Sequence, residues 1–176
     1  MFTLINIKEL NIFENNSINE IKQYRKMIIN SILSTDMANH KLDYEKLKIL
    51  LNKDKESNNL FDNNENKMLI CSQLIHISDI SNPLKKFSIY KKWVDNFFEE
   101  SFKQGDKEKE CNLPISMLCD RTTTNIPDSQ VFFINFFLKD HLELFVILNP
   151  KFNQLLEEVL KNIDKWKLIK KQNILY

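Results

Sequence analysis

Glycine occurs only once in this chain of 176 residues, at Gly105. Glycine supplies the left-handed backbone conformations on which Gly-rich phosphate loops, dinucleotide-binding turns and two-residue β-hairpins depend. So little glycine argues against those structures and predicts a mostly helical chain. The one glycine, within KQGDKEKE, is expected to mark a turn.

Length and charge narrow the class of protein further. The chain is long enough for one domain with a packed core, and 43% of its residues are hydrophobic. A net charge of +1 gives no electrostatic reason to expect nucleic acid or an anionic membrane surface as a partner. The most apolar stretch, VFFINFFLKDHLELFVIL, contains charged residues, so no membrane segment is predicted.

Cysteine usage bears on the cellular compartment. The three cysteines include no CxxC pair, which predicts a reduced intracellular protein. The N-terminus, MFTLINIKEL, has no basic start before an apolar run, so no signal peptide is expected. We expect a cytoplasmic protein, or one at the cytoplasmic face of a membrane if spans lie upstream.

Apolar residues recur at helical spacing through most of the chain. Ser17 followed by Glu20 matches a capping box and predicts that a helix begins at SINEIKQYRKMIINSIL. Residues 52–66 are predicted to form a polar loop. The expected architecture is a compact all-α, multi-helix bundle with long loops. Further helices are predicted over 42–51, 68–79, 87–102 and 128–148, and after Pro150.

His76 and Asp79 lie three residues apart, so on a helix they share one face. A carboxylate is disfavoured at the carbonyl end of a helix unless a cation is near, and imidazole and carboxylate both suit a divalent metal ion. The alternative is a helix end with a solvated aspartate and a half-buried histidine. The spacing alone leaves both interpretations open.

Gln130 opens a helix beside the phenylalanine cluster VFFINFF. A glutamine there is usually a surface or capping residue. Next to Phe133, however, its amide could pair with the edge of a planar ligand stacked on the ring, which is a sound way to bind a purine. Composition does not decide between the two.

Five motifs, taken in order, resemble the catalytic domain of the 3′,5′-cyclic nucleotide phosphodiesterases. The resemblance covers about residues 10–166 and implies an all-α fold that hydrolyses cAMP or cGMP, or both, to the 5′-monophosphate at a two-metal centre. The motifs are STDMANH (34–40), HISDISNPLKKFSIYKKW (76–93), EESFKQGDKEKE (99–110), ISMLCDR (115–121) and SQVFFI (129–134).

The resemblance also implies roles for individual residues. Asp79 matches a ligand of the tightly bound metal, usually zinc, with magnesium beside it. Gln130 matches the glutamine that hydrogen-bonds the purine, and Phe133 the ring that stacks on it. Tyr90 and Trp93 match aromatics that help to orient this glutamine, and His76 is expected to support the site. Matches to other pocket-lining positions are Ile80, Asn82, Met37 and Leu118.

The chain departs from the family pattern where the metal ligands are concerned. In the family, two further histidines, another aspartate and the general-acid histidine precede the TDM motif. The histidines here are only His40, His76 and His141, so no catalytic residue is assigned within this chain. Phe132 also stands where the family commonly has glycine. We expect residues 1–176 to be the C-terminal portion of a catalytic domain, incomplete at its N-terminal side.

Two functions follow from these expectations. The chain is part of a longer enzyme that hydrolyses cyclic nucleotides, or it is a non-catalytic protein that binds nucleotide weakly or associates with a full-length partner. Association would involve a second copy of the chain or the missing N-terminal half. A third alternative is an unrelated helical domain with coincidental motifs.

Overall fold

A computed structural model describes residues 2–57 and 60–172, with the side chains of 54–57 outside the description. This part of the chain is helical and contains no β-strand, which confirms the all-α prediction. Its α-helices are α1 (Phe2–Ile5), α2 (Ile18–Leu33), α3 (His40–Ser57), α4 (Asn64–Asp79), α5 (Phe87–Glu110), α6 (Ile126–Phe133), α7 (Asp140–Leu148) and α8 (Asn153–Lys171).

The chain divides into two compact units, Met1–His76 and Ile77–Tyr176. In the first unit, α2 begins with the predicted capping box. The Ser17 hydroxyl accepts from the Glu20 backbone N–H, and the Glu20 carboxylate accepts from the Ser17 backbone N–H at 2.7 Å. These two bonds satisfy N–H groups that have no partner within the helix.

Burial in the first unit is concentrated on α3 and α4. Leu47 and Leu51 of α3 and Ile70 of α4 are buried, together with three polar side chains of α4, Ser72, Gln73 and His76. By contrast, α2 contains no buried residue. Its apolar side chains Ile18, Ile32 and Leu33 are largely exposed.

The second unit has a larger apolar core. In this core, α8 packs against α6, α7 and the turn before α5. Burial of each large apolar side chain contributes about 1.5–3 kcal/mol to folding. Side chains that are at most 1% exposed include Tyr90, Phe98, Ile134, Leu138, Leu142, Phe145, Val159 and Trp166.

Three predicted boundaries differ from the structure. The polar loop predicted over 52–66 is shorter, because α3 extends to Ser57 and α4 starts at Asn64; residues 58 and 59 lie outside the described residues. Gly105 lies within α5 and is buried, so the predicted turn there is wrong. The helix predicted over 128–148 begins at Ile126 and contains a π-helical segment, Ile134–Lys139.

Candidate functional site

An aromatic pocket of about 240 Å³ lies in the second unit. It is a concave, mostly apolar site with a few polar groups, the usual composition of a small-molecule site. The last residue of α4, the following turn, α5 and α6 all contribute to its wall. Eight of the ten predicted site residues line it: Asp79, Ile80, Asn82, Tyr90, Trp93, Leu118, Gln130 and Phe133.

The start of α6 places Gln130 in the pocket. Asn125 caps this helix by accepting a hydrogen bond from the Asp128 N–H at 3.0 Å, and Pro127 occupies the first turn, where its missing N–H costs nothing. Gln130 follows one turn later and is 9% exposed. The helix start therefore aims a single amide into a mostly apolar cavity.

A hydrogen bond from Tyr90 fixes the orientation of the Gln130 amide. The Tyr90 hydroxyl donates to Gln130 Oε1 at 2.6 Å. Burial raises the pKa of Tyr90 above its ordinary value of 10, so the hydroxyl keeps its proton at neutral pH. Because the carbonyl oxygen of an amide can only accept, this proton points to Gln130 Oε1. Gln130 Nε2 donates one long hydrogen bond to Ser129 Oγ at 3.5 Å, and its second hydrogen can be donated to a ligand.

Aromatic rings form the broad surfaces of the pocket. Trp93 and Phe97 of α5 are each 53% exposed, although large aromatic side chains are usually buried. Phe133 is half-buried and contacts Phe137, with ring centroids 5.4 Å apart. A planar ligand is the shape that such rings and an edge-facing amide accommodate best.

Asp79 is the last residue of α4, and its side chain is exposed at the edge of the pocket. A stable zinc site needs at least three protein ligands. Among the described residues there is no group of three or more His, Cys, Asp or Glu side chains that could hold a metal ion. Asp79 alone does not make up a metal centre.

The other two predicted site residues, His76 and Met37, lie in the first unit. His76 is 1% exposed, and its Nε2 atom is 2.8 Å from His40 Nδ1, so the two imidazoles share one hydrogen bond. Met37 opens the short 3₁₀ turn Met37–Asn39 and is 37% exposed. The supporting role of His76 and the lining role of Met37 stay predictions.

Sequence reasoning missed two kinds of contributor. Pro83, Val94, Phe97 and Ser129 also line the pocket. Behind the wall, the Trp166 ring packs edge-on against the Tyr90 ring, with centroids 5.8 Å apart. Helical spacing predicts that Trp166 is buried, but it does not predict which ring Trp166 packs against.

Comparison with known proteins gives a direct assignment. A family model described as 3′5′-cyclic nucleotide phosphodiesterase matches residues 1–159. This chain belongs to that family. The phosphodiesterase assignment confirms the prediction made from the five ordered motifs.

Curated relatives of this phosphodiesterase chain include cyclic-AMP enzymes of Drosophila melanogaster. The chain is 34% identical to 3′,5′-cyclic-AMP phosphodiesterase, isoform F, over 167 aligned residues. The alignment covers 93% of this chain and 25% of the relative. The figures for isoforms N/G are the same, except that 17% of that relative is covered. The chain therefore spans a quarter or less of these relatives.

Solved structures support the phosphodiesterase fold. The phosphodiesterase domain of the RhoPDE fusion protein from the choanoflagellate Salpingoeca rosetta matches with a TM-score of 0.84 and 29% identity, over 97% of this chain and 54% of that one. LmjPDEB1 in complex with IBMX matches with a TM-score of 0.87 over 98% of this chain and 51% of that one, at 24% identity. The chain spans about half of each.

Proposed function

We propose that the aromatic pocket binds the purine base of a 3′,5′-cyclic nucleotide, and that the chain contributes this base site to the hydrolysis of cyclic nucleotides to 5′-monophosphates. The observation that carries the proposal is the buried Gln130 amide, whose Oε1 is held by Tyr90 at 2.6 Å. An amide fixed at one end presents a donor and an acceptor in a set order, as recognition of a purine edge requires.

We propose cAMP as the substrate, with cGMP as the comparison to be measured. The adenine edge offers an N1 acceptor next to an N6 donor, whereas guanine offers the opposite order. The Gln130 amide has Nε2 as its donor, and its Oε1 keeps one lone pair after accepting from Tyr90. The curated relatives described above are named cyclic-AMP phosphodiesterases, which agrees with this choice.

The metal-dependent part of the reaction is proposed only for a longer phosphodiesterase domain. Zinc and magnesium, the metals that the resemblance implies, would take Asp79 as one ligand. The described residues hold no group of three or more ligating side chains that would complete a site. The remaining ligands would come from the part of the domain that the structural relatives have beyond the matched half.

The experiment is a binding titration with Gln130→Glu. This isostere keeps an oxygen to accept from Tyr90 but removes the amide N–H that faces the ligand. We expect isothermal titration calorimetry to show a dissociation constant for cAMP about tenfold higher than that of the wild-type chain. IBMX, which is bound in LmjPDEB1, provides a second probe of the same pocket.

Gln154→Glu is the matched control, because Gln154 is exposed in the first turn of α8 and the substitution is chemically identical. Its affinity for both ligands is expected to equal that of the wild type. Equal affinity of the Gln130→Glu and wild-type chains would contradict the proposed base contact.

The second candidate function is association without hydrolysis, with a second copy of the chain or a full-length partner. The exposed apolar side chains of α2 favour it, because unpartnered apolar surface promotes association. Light scattering over a concentration series distinguishes a monomer from a homo-oligomer.

No helix in the described residues is long and apolar enough to cross a membrane. We propose an intracellular, cytoplasmic location, which the free Cys71, Cys111 and Cys119 favour.

A further inference from the structure

The turn of residues 80–85, here called the pocket turn, forms one wall of the aromatic pocket. Ile80, Asn82 and Pro83 line the cavity directly. Internally the turn has two backbone hydrogen bonds, from the Leu84 N–H to the Ser81 carbonyl at 2.9 Å and from the Lys85 N–H to the Asn82 carbonyl at 3.2 Å. The Lys85 ammonium group also donates to the Asn82 side-chain oxygen at 2.8 Å. Ser81 makes no side-chain cap to it. None of these three bonds attaches the turn to another helix, so its position depends on contacts from neighbouring elements.

Asn162 of α8 supplies the missing contacts. Its Nδ2 atom donates to the Pro83 carbonyl at 2.9 Å and to the Lys85 carbonyl at 2.8 Å. A carbonyl can only accept, so both amide hydrogens of Asn162 are committed and the orientation of the side chain is fixed. One side chain thus holds the backbone on both sides of Leu84.

The burial of Asn162 indicates that these two hydrogen bonds explain why a polar side chain occupies this position. The side chain is fully buried on the same helix face as Val159, Ile163 and Trp166. Its Oδ1 atom is buried and has no hydrogen-bond partner among the described residues. A buried amide with an unpaired oxygen costs more than an apolar side chain of the same size. The donor half of the group must offset that cost.

We propose that Asn162 is a positioning residue for the aromatic pocket: through the Pro83 and Lys85 carbonyls it holds the pocket turn where Ile80 and Asn82 contact the ligand. The identity of the ligand in this inference rests on the proposed nucleotide-binding function. The contacts between Asn162 and the turn do not depend on that function. Asn162 does not line the pocket and therefore acts through the turn.

The test uses Asn162→Asp and Asn162→Ala in the full chain. At pH 7.5 the introduced carboxylate faces two carbonyls without a proton to donate, so the turn is released in both variants. Burial raises the pKa of a carboxyl group, so near pH 5.5 the Asp variant gains a proton and one donated bond returns. The Ala variant has no group that can recover.

Two quantities are measured at both pH values. Hydrogen exchange at the Leu84 and Lys85 amides is expected to be about tenfold faster than in the wild type in both variants at pH 7.5. At pH 5.5, normalised to the intrinsic rate, it should recover in the Asp variant only. The dissociation constant for IBMX is expected to follow the same pattern.

Asn153→Asp is the charge-matched control, since Asn153 is exposed at the start of the same helix. Ile163→Val is the stability control, because it weakens the α8 core next to Asn162 and keeps both hydrogen bonds. Neither is expected to change exchange in the pocket turn selectively.

Wild-type exchange in the turn of both Asn162 variants would overturn the proposal, as would equal acid recovery in the Ala variant. Failure of the wild-type chain to bind IBMX or cAMP would instead contradict the proposed function. In that case the exchange rates alone decide whether Asn162 holds the turn.

Discussion

Leu118 adopts a left-handed backbone conformation, with φ at 66°, at a position that lines the aromatic pocket. A side chain with a Cβ atom in this region costs roughly 1–2 kcal/mol, and glycine avoids that cost. Leucine occupies this position although the backbone conformation favours glycine. Strained residues of this kind concentrate at binding sites, where the side chain is needed.

Replacing Leu118 separates the backbone strain from the pocket contact. Leu118→Ala keeps the strain, whereas Leu118→Gly removes it, and both remove the apolar side chain from the pocket. We expect the Gly variant to be about 1 kcal/mol more stable than the Ala variant in urea denaturation. Both should bind IBMX more weakly than the wild type. A Gly variant less stable than Ala would contradict a left-handed Leu118.

The pocket residues differ in how far the sequence could predict them. Gln130 and Phe133 lie within one motif, so their neighbourhood was predictable from local order. Asn162 was not, because the carbonyls it bonds lie 79 and 77 residues earlier in the chain. Helical periodicity predicts that this face of α8 is buried. It does not predict the hydrogen-bond partners of a buried asparagine, because the fold brings those partners from distant parts of the chain.

At the scale of elements, the last two turns of α5 hold the segment of residues 111–125 that follows this helix. Gly105 lies against the Cys119 backbone, and the carboxylate of Asp106 forms an ion pair with Arg121. Glu108 accepts from the backbone N–H and the hydroxyl of Ser116, each at 2.7 Å. These contacts position the segment that carries Leu118.

Gly105→Ala tests the close approach of this segment, because the contact determines whether alanine stabilises or destabilises the folded chain. In an unobstructed helix, alanine would be more stabilising than glycine by roughly 0.5–1 kcal/mol. Here a Cβ atom would lie 2.0 Å from the Cys119 carbonyl oxygen, so one of the two backbones must move. We expect a net loss of about 1–3 kcal/mol in the free energy of unfolding. Lys107→Ala, at an exposed position, is the control. A stabilised Gly105→Ala chain would contradict the contact.

Glu108 makes this attachment sensitive to pH. Its hydrogen bonds to Ser116 and Gln104 lower its pKa below the ordinary value of 4.5. The folded state therefore favours the ionised carboxylate, so the stabilisation is present above pH 4.5 and is lost as the pH falls through the lowered pKa. We expect Glu108→Gln to lower the urea midpoint at pH 6 and to have a smaller effect near pH 3. Glu110→Gln is the control, and a difference independent of pH would contradict this assignment.

Two errors in the predicted elements have identifiable causes. Gly105 was interpreted as a turn because glycine is unfavourable inside helices, but its small size is what lets Cys119 approach α5. Residues 52–57 were predicted as loop from their polarity, yet they continue α3, since lysine and glutamate are good helix formers. The Ser17–Glu20 cap was predicted correctly because a capping box depends only on neighbouring residues.

At the scale of the whole molecule, the chain contains the proposed base pocket but only one predicted metal ligand. This division can be tested by inserting the chain in place of the matched half of the Salpingoeca rosetta phosphodiesterase domain, of which it covers 54%. We expect the chimera to hydrolyse cAMP. Asp79→Ala should lower kcat at least about 100-fold, because loss of even an outer-shell partner of a metal typically costs 10–100-fold.

Asp164→Ala is the control for this chimera, since Asp164 is an exposed carboxylate on α8. Its turnover is expected to match that of the parent chimera. Gln130→Ala should raise KM more than it lowers kcat, since it removes a contact to the base and not to the reacting phosphate. Near-normal hydrolysis by the Asp79→Ala chimera would contradict the metal assignment.

The reach of Asn162 back to Pro83 has a consequence for biosynthesis. Because 79 residues separate donor and acceptor, the ribosome makes α5, α6 and α7 before the clamp on the pocket turn exists. Chains emerge at about 5–20 residues per second, so this turn stays unheld for several seconds. During that interval the nascent chain already contains Gln130, but one wall of the pocket is not yet held in place. We therefore expect the pocket to reach its final form late, after α8 has docked.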